Sequence, residues 1–417
     1  MMSKLERMIA ESCPDGVEYK TLGEVCLKTQ NINWKRDTDG QYNYIDLTSV
    51  DRDTHTITET QIINSSNAPS RAQQIVLEKD VLFGTTRPTL KRFCSIPPEH
   101  DGQICSTGFC ILRANPSLTL PRWIYHIIGG NIFYEYIETV QRGASYPAVA
   151  NSDVMRYSIP VPPLPVQREI VRILDNFTEL TAELTAELTA RKKQYEYYRN
   201  TLLTFGSERI SILDRQTDRQ TDRQTDRQTD RQTDRQTRWL TLGEIASMKA
   251  GKFIQAFDIS DNQTDDCLFQ CYGGNGVRGY VKNYNHDGAH LLIGRQGALC
   301  GNVNRVTGKF YATEHAVVVN VKAGVHLDWL FHMLVHMNLN QYASKSAQPG
   351  LAVGNIEKLV IPLPLLAEQE RIASILDKFD ALTTDISIGL PAEIEARRKQ
   401  YEYYRDRLLR FEEKEAA

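Results

Sequence analysis

Apolar residues follow two different rhythms along this chain. Between Gln167 and Leu203 they fall at Ile170, Ile173, Phe177, Leu180, Leu184, Leu188, Tyr195, Tyr198 and Leu202. Steps of three and four mark one face of a helix that packs against a partner helix, and no Pro or Gly interrupts the run. At ~1.5 Å per residue the helix would be roughly 55 Å long. Pro160, Pro162, Pro163 and Pro165 lie just before it. Prolines hold a lead-in extended, so the helix is expected to start only beyond them. A second such helix is expected from Gln369 to Phe411, with Gly389-Leu390-Pro391 as a break or kink. Elsewhere the apolar runs are short and rich in β-branched residues. Val81-Leu82-Phe83, Phe109-Cys110-Ile111-Leu112, Leu291-Leu292-Ile293 and Ala316-Val317-Val318-Val319 read as strands bounded by turns. The segments around Trp123 and Trp329 read as short helices.

These elements occur twice. Glu18-Tyr19-Lys20-Thr21-Leu22-Gly23-Glu24-Val25 returns as Arg238-Trp239-Leu240-Thr241-Leu242-Gly243-Glu244-Ile245. Trp123-Ile124-Tyr125-His126 returns as Trp329-Leu330-Phe331-His332, and Ala148-Val149-Ala150-Asn151 as Ala352-Val353-Gly354-Asn355. Gln167, Ile173-Leu174-Asp175 and Phe177 match Gln369, Ile375-Leu376-Asp377 and Phe379. Lys193-Gln194-Tyr195-Glu196-Tyr197-Tyr198-Arg199 matches Lys399-Gln400-Tyr401-Glu402-Tyr403-Tyr404-Arg405. The matches keep their order, as a tandem duplication of about 200 residues per copy would. Each copy holds an irregular, mixed α/β domain followed by a long helix. The expected boundaries are 1–160 and 238–360 for the domains, 161–213 and 361–417 for the helical parts, and 214–237 for a linker. The two helices are expected to pair as an antiparallel coiled coil, a rigid spacer with one domain at either end.

Two tetrapeptide repeats carry different meanings. Thr181-Ala182-Glu183-Leu184 recurs as Thr185-Ala186-Glu187-Leu188 inside the first helix. One such unit lengthens a helix by roughly 6 Å and rotates the residues beyond it by about 40°. That rotation is near the roughly 34–36° between successive DNA base pairs. The other repeat, Asp-Arg-Gln-Thr, runs in six copies from Asp214 to Thr237. It has no apolar residue and cannot build a core. The codons GAC-AGA-CAG-ACA spell it and are themselves a repeated tetranucleotide, GACA. A gain or loss of one GACA would shift the frame and switch the second copy off or on.

Charge changes the picture only by its arrangement. The chain has 417 residues and a formal net charge of −3. It divides into −2 for 1–160, 0 for 161–237, +2 for 238–360 and −3 for 361–417. No part is a basic clamp, so phosphate neutralisation by this chain alone should give modest affinity for nucleic acid. There is no run of about 18 apolar residues for a membrane span and no apolar leader at Met1-Met2-Ser3-Lys4. The eight cysteines include no C-x-x-C pair and suggest no metal site. Reduced thiols and a cytoplasmic location are the expectation.

Catalytic motifs do not emerge. Pro14-Asp15-Gly16-Val17-Glu18-Tyr19-Lys20 brings its acidic residues too close together for a nuclease metal site, and copy two replaces Glu18 by Arg238. Tyr272-Gly273-Gly274-Asn275-Gly276 lacks the G-x-G-x-x-G of a nucleotide loop. His126 and His332 sit on matching apolar helices, where buried, hydrogen-bonded histidines are expected. The polar loops are more telling. Gly84-Thr85-Thr86-Arg87-Pro88-Thr89-Leu90-Lys91-Arg92 and Gly294-Arg295-Gln296-Gly297 each follow a strand. Gln141-Arg142-Gly143-Ala144-Ser145-Tyr146 and Lys345-Ser346-Ala347-Gln348-Pro349-Gly350 form another matched pair. Arg suits a guanine edge, Gln an adenine edge and Lys a phosphate.

The duplication, Ile159-Pro160-Val161-Pro162-Pro163-Leu164 before Gln167, the Thr-Ala-Glu-Leu repeats and Lys193-Gln194-Tyr195-Glu196-Tyr197-Tyr198-Arg199 together resemble the specificity subunit of type I restriction–modification enzymes. The resemblance covers about residues 1–213 and 238–413; the Asp-Arg-Gln-Thr tract departs from the family's short connection. It implies a non-catalytic subunit with two target-recognition domains, each reading half of a split double-stranded DNA target. The helices would set the gap and dock two modification subunits, which bring S-adenosylmethionine. Two restriction subunits would bring ATP and Mg²⁺, and no cofactor belongs to this chain. Carried onto the matched loops, DNA contact is expected from Thr85, Thr86, Arg87, Lys91, Arg92 and Arg142 in the first domain. In the second it is expected from Asn275, Arg278, Arg295, Gln296 and Lys345. The competing reading is a coiled-coil scaffold carrying two domains that do not bind DNA.

Overall fold

The computed structural model describes residues 4–37, 39–205, 236–297, 299–345, 349–384 and 388–414. Nearly all of the Asp-Arg-Gln-Thr tract, and with it the GACA reading, lies outside the described residues. The chain forms two compact units, residues 1–186 with 392–417, and residues 187–391.

In the first unit a four-stranded sheet runs in the order Cys26–Leu27, Phe109–Ala114, Val81–Gly84, Phe93–Ser95. All four residues of Val81–Gly84 are buried. An uninterrupted apolar run suits a strand covered on both faces. Trp123, on the helix Pro121–Ile128, packs with Val81 and Phe83 in the core beneath it. A second, five-stranded sheet follows the order Gln30–Asn31, Ala72–Ile75, Ile104–Ser106, Tyr42–Ile45, Gln61–Ile63. A two-stranded ribbon, Tyr19–Thr21 with Ser158–Pro160, closes the domain next to the long helix.

The second unit repeats the four-stranded sheet in the same order: Ala246–Ala250, Ala316–Val321, His290–Gly294, Val303–Val306. Trp329, on the helix Leu327–His336, packs with Leu291 and Ile293. The ribbon returns as Arg238–Thr241 with Val360–Leu363. The second sheet is different, with three strands in the order Gly276–Val281, Phe269–Gly273, Phe310–Ala312. In both copies the T-L-G-E segment forms a short helix with a capping box. The Thr21 N–H donates to Glu24 at 2.7 Å and the Thr241 N–H to Glu244 at 2.7 Å.

The first long helix runs from Leu164 to Leu203. It starts earlier than expected, because Pro165 lies inside its first turn. A proline there forfeits no helical hydrogen bond, since the first N–H groups of a helix have no intrahelical acceptor. Gln167 then pins the helix to the domain. Its Oε1 accepts the Leu120 N–H at 3.0 Å, and its Nε2 donates to the Leu118 and Pro162 carbonyls at 2.9 and 2.8 Å. Gln369 does the same through the His326 N–H at 2.8 Å and the Pro364 carbonyl at 2.9 Å. The second helical region is two helices, Leu366–Thr384 and Leu390–Leu408, broken where Gly389-Leu390-Pro391 predicted.

Each unit is completed by helix from the other copy of the sequence. Tyr401, Tyr404, Leu408 and Phe411 pack against the first core. Leu202, Leu203 and Phe205 belong to the second core, with Tyr195 packed against it. One ring pair marks both places. Phe177 stacks on Tyr404 at 5.4 Å and 19°, and its repeat mate Phe379 stacks on Tyr198 at 5.3 Å and 25°.

Candidate nucleic-acid interface

In the first unit the two polar loops found in the sequence meet. Thr85 is buried, and its N–H and hydroxyl donate to the Gly108 carbonyl at 2.8 and 2.9 Å. Its own carbonyl accepts the Val149 N–H at 2.9 Å. Thr86 and Arg142 both bridge to Ala148, and the Arg87 N–H donates to the Pro147 carbonyl at 2.7 Å. Residues 84–92 and 141–149 thus form one ledge. On it Arg87, Lys91 and Arg142 are exposed, while Thr86 and Arg92 are half-buried. Lys91 lies over the Tyr134 ring at 4.9 Å, and Arg142 reaches Asp153 at 3.4 Å. Thr85 anchors the ledge from below.

The second unit builds the same ledge from a different sequence. The Arg295 N–H donates to His315 at 2.8 Å, and the Arg295 carbonyl accepts the Leu351 N–H at 2.9 Å. Gln296 bridges to Gly350, and the Gly297 N–H donates to Pro349 at 3.0 Å. These bonds repeat those of Thr85, Thr86 and Arg87 one for one. A third loop joins them. The turn between Phe269–Gly273 and Gly276–Val281 presses on Gly294 so closely that a Cβ there would lie 1.9 Å from the Gly274 carbonyl oxygen. Only glycine permits that approach. Asn275 and Arg278 are exposed on this turn and the strand after it, and Lys345 is exposed on the loop that carries Pro349 and Gly350. The loops holding Asn275, Arg295, Gln296 and Lys345 therefore converge.

In each unit a buried histidine locks the helices to the domain. His126 has no exposed surface; its ring contacts Asp175 at 2.8 Å and the Tyr401 hydroxyl at 2.9 Å. Burial pushes the His126 pKa down to about 4, against the pull of Asp175, so the ring is neutral at neutral pH. A neutral ring that donates to a carboxylate through Nε2 has only Nδ1 left to accept, so the Tyr401 hydroxyl donates. Arg122 pairs with the same carboxylate at 2.8 Å and lies over the Tyr125 ring at 4.0 Å. Burial works to raise the Asp175 carboxyl, but the bonds from His126 and Arg122 outweigh it and hold it below the ordinary value.

His332 repeats this with Asp377 at 2.9 Å and Tyr195 at 3.4 Å, and burial lowers its pKa as well. The guanidinium comes from elsewhere. The equivalent of Arg122 is Asp328, and Arg305 from the strand Val303–Val306 takes the place. It bonds Asp377, Asp328 at 3.2 Å and Asp380 at 2.7 Å, and lies over Phe331 at 4.1 Å. The sequence marked both histidines but not their partners, which no local spacing indicates. The one available signal was that Asp175, Asp377, Tyr195 and Tyr401 all lie in duplicated motifs.

The model of the type I restriction modification DNA specificity domain matches residues 14–191 and 238–396. The EcoprrI specificity subunit of Escherichia coli is 53% identical over 228 residues, a match covering 54% of this chain and 51% of that subunit. The chain thus spans about half the length of that relative. A putative type I specificity subunit of Haemophilus influenzae, S.HindORF215P, is 32% identical over 310 residues, covering 70% of this chain and 72% of that one. Among solved structures, the type I restriction–modification S subunit from M. genitalium shares the fold at a TM-score of 0.58 and 15% identity, covering 94% of this chain and 95% of that one. A chain from work on complex assembly and conformational transition of the type I R-M system does so at 0.57 and 24%, covering 95% and 98%. Among the described residues no helix is long and apolar enough to cross a membrane. The domain match over most of the chain, present once in each copy, places the protein in the family of type I restriction–modification specificity subunits.

Proposed function

We propose that the chain is the non-catalytic part of a type I restriction–modification complex that chooses the DNA sequence, each unit reading one half of a bipartite double-stranded target. The observation that carries this reading is the pair of ledges. Two loop clusters with the same backbone bonds present different side chains: Arg87, Lys91, Arg92 and Arg142 on one, Asn275, Arg278, Arg295, Gln296 and Lys345 on the other. A common frame with different polar side chains is what reading two unlike half-sites requires.

The long helices, in this reading, pair as a spacer and set the gap between half-sites. The Thr-Ala-Glu-Leu count tunes that gap. The exposed helix surfaces dock two modification subunits, which use S-adenosylmethionine, and two restriction subunits supply ATP- and Mg²⁺-dependent cleavage. With a net charge of −3, this chain binds DNA tightly only in company with the modification subunits. The Asp-Arg-Gln-Thr tract is encoded by a GACA repeat whose slippage switches the second unit. A pure GACA run in the coding sequence is the expected observation; scattered synonymous codons would remove that part of the proposal.

The test is methyladenine mapping in the host, with and without the gene. A split motif lost on deletion is expected. A continuous motif, or an unchanged methylation pattern, would overturn the reading.

A further inference from the structure

The two ledges share backbone bonds but differ at one position in a telling way. Gly297 has φ +92°, the left-handed region where glycine is at ease, and its N–H donates to Pro349. The corresponding residue in the first unit is Arg87, with φ 48° and ψ 58°, whose N–H donates to Pro147 in the same way. A non-glycine residue in this region carries backbone strain. The turn itself needs only glycine, as the second unit demonstrates, so the arginine side chain is what the strain preserves.

That side chain is free of the partners arginines usually take. Arg113, Arg122, Arg142 and Arg305 each pair with an aspartate. Among the described residues the Arg87 guanidinium has no hydrogen bond and no carboxylate. Its contact is the ring of Tyr146, with the guanidinium carbon 4.4 Å from the centroid. Tyr146 is itself 70% exposed, on the loop that Gly143 turns at φ +97°. A fork of five donors therefore sits over an aromatic face and is left open to solvent. Stacking costs the guanidinium none of its in-plane donors.

We propose that Arg87 and Tyr146 act as one reading element that recognises a single guanine, through its O6 and N7, in the half-site of the first unit. Tyr146 is the positioning residue that fixes the plane of the fork. The proposal rests on the DNA-reading function given above and narrows it to one residue pair and one base. Bidentate guanine readout requires the fork to lie near the plane of the base, and a loosely held arginine spends binding energy on being ordered. A tyrosine that only filled space would not be left mostly exposed beside an unpaired cation.

The test uses the complex of the full chain with its modification subunit, S-adenosylmethionine and a library randomised across both half-sites. Arg87→Lys, Tyr146→Ala and Tyr146→Phe are compared with wild type. Arg87→Lys keeps the charge but loses the fork; Tyr146→Phe keeps the ring. Expected is a loss of preference for guanine, about tenfold or more, at one position of the first half-site in Arg87→Lys and Tyr146→Ala. The second half-site and the Tyr146→Phe profile stay as in wild type. A motif unchanged in both variants, or activity lowered evenly at every position, would overturn the proposal. If wild type itself yields no split motif, the function falls first; if it yields one that neither residue alters, only this inference falls.

Discussion

The two units are the same below and different above. Both have a four-stranded sheet in the same order, a buried tryptophan helix, a capping box, a glutamine pin and a histidine–aspartate–tyrosine lock. They part company in the second sheet, five strands in one and three in the other, and in the side chains on the ledge. The shared parts pack in cores that include residues of the long helices, whereas the second sheets pack in clusters that include none. The lock separates the two cases within itself. Histidine, aspartate and tyrosine are equivalent in both, whereas the guanidinium comes from Arg122 on a helix and from Arg305 on a strand. The constraint acts on the presence of a cation over the ring at 125 or 331 and beside the aspartate, not on its place in the sequence.

The largest effect should come from the tryptophans. Trp123→Ala and Trp329→Ala should each destabilise their own unit by about 3–5 kcal/mol in denaturant unfolding. Trp123 should cost more by about 1 kcal/mol, because its Nε1 donates to Pro160 at 3.0 Å while Trp329 Nε1 has no partner among the described residues. Equal losses would show that this hydrogen bond contributes nothing net.

Next come the aspartates. Asp175→Ala strands Arg122 and His126 together and should cost about 2–3 kcal/mol. Asp377→Ala should cost less, since Arg305 keeps Asp328 and Asp380. The reverse order in thermal melts would mean that the lock is not centred on this carboxylate.

Acid provides a third comparison. His126 is held down to about 4, below the ordinary 6.5. The unfolded chain therefore takes up a proton that the folded unit refuses, and stability present above pH 6.5 is lost as the pH falls toward 4. Between pH 6.5 and 5 the first unit should lose roughly 2 kcal/mol at most. His126→Gln should flatten that slope; a wild-type slope that survives the substitution would assign it to other groups.

The smallest effect should be the most symmetric. Glu24→Ala and Glu244→Ala each remove a carboxylate that accepts the N-cap threonine N–H at 2.7 Å, and each should lower the melting temperature only slightly and by the same amount. A clear difference between them would show that the four-residue helices are held unequally by their surroundings.

Much of this plan was legible in the chain. Strands at Val81, Phe109, Leu291 and Ala316 are apolar runs of the right length, and the long helix declares itself by period. Pro165 misled because a rule about helix interiors was applied to a helix start. Arg305 could not be found at all, for its partners Asp328, Asp377 and Asp380 lie far along the chain and its counterpart in the first copy is on a different element. Tyr146 was visible as a residue of a polar loop, but its pairing with Arg87 depends on two loops, some sixty residues apart in sequence, being sewn together through Pro147 and Ala148.

Periodicity and self-similarity alone determined that the chain is one domain-and-helix plan used twice, because hydrophobic spacing and repeated motifs are properties of the linear sequence. Only the tertiary structure decided that each unit is finished by the helix of the other copy. It alone brought the separate polar loops onto one ledge in each unit and set Arg87 over the ring of Tyr146. Those outcomes depend on which surfaces meet in space, and long-range contact leaves no period to read.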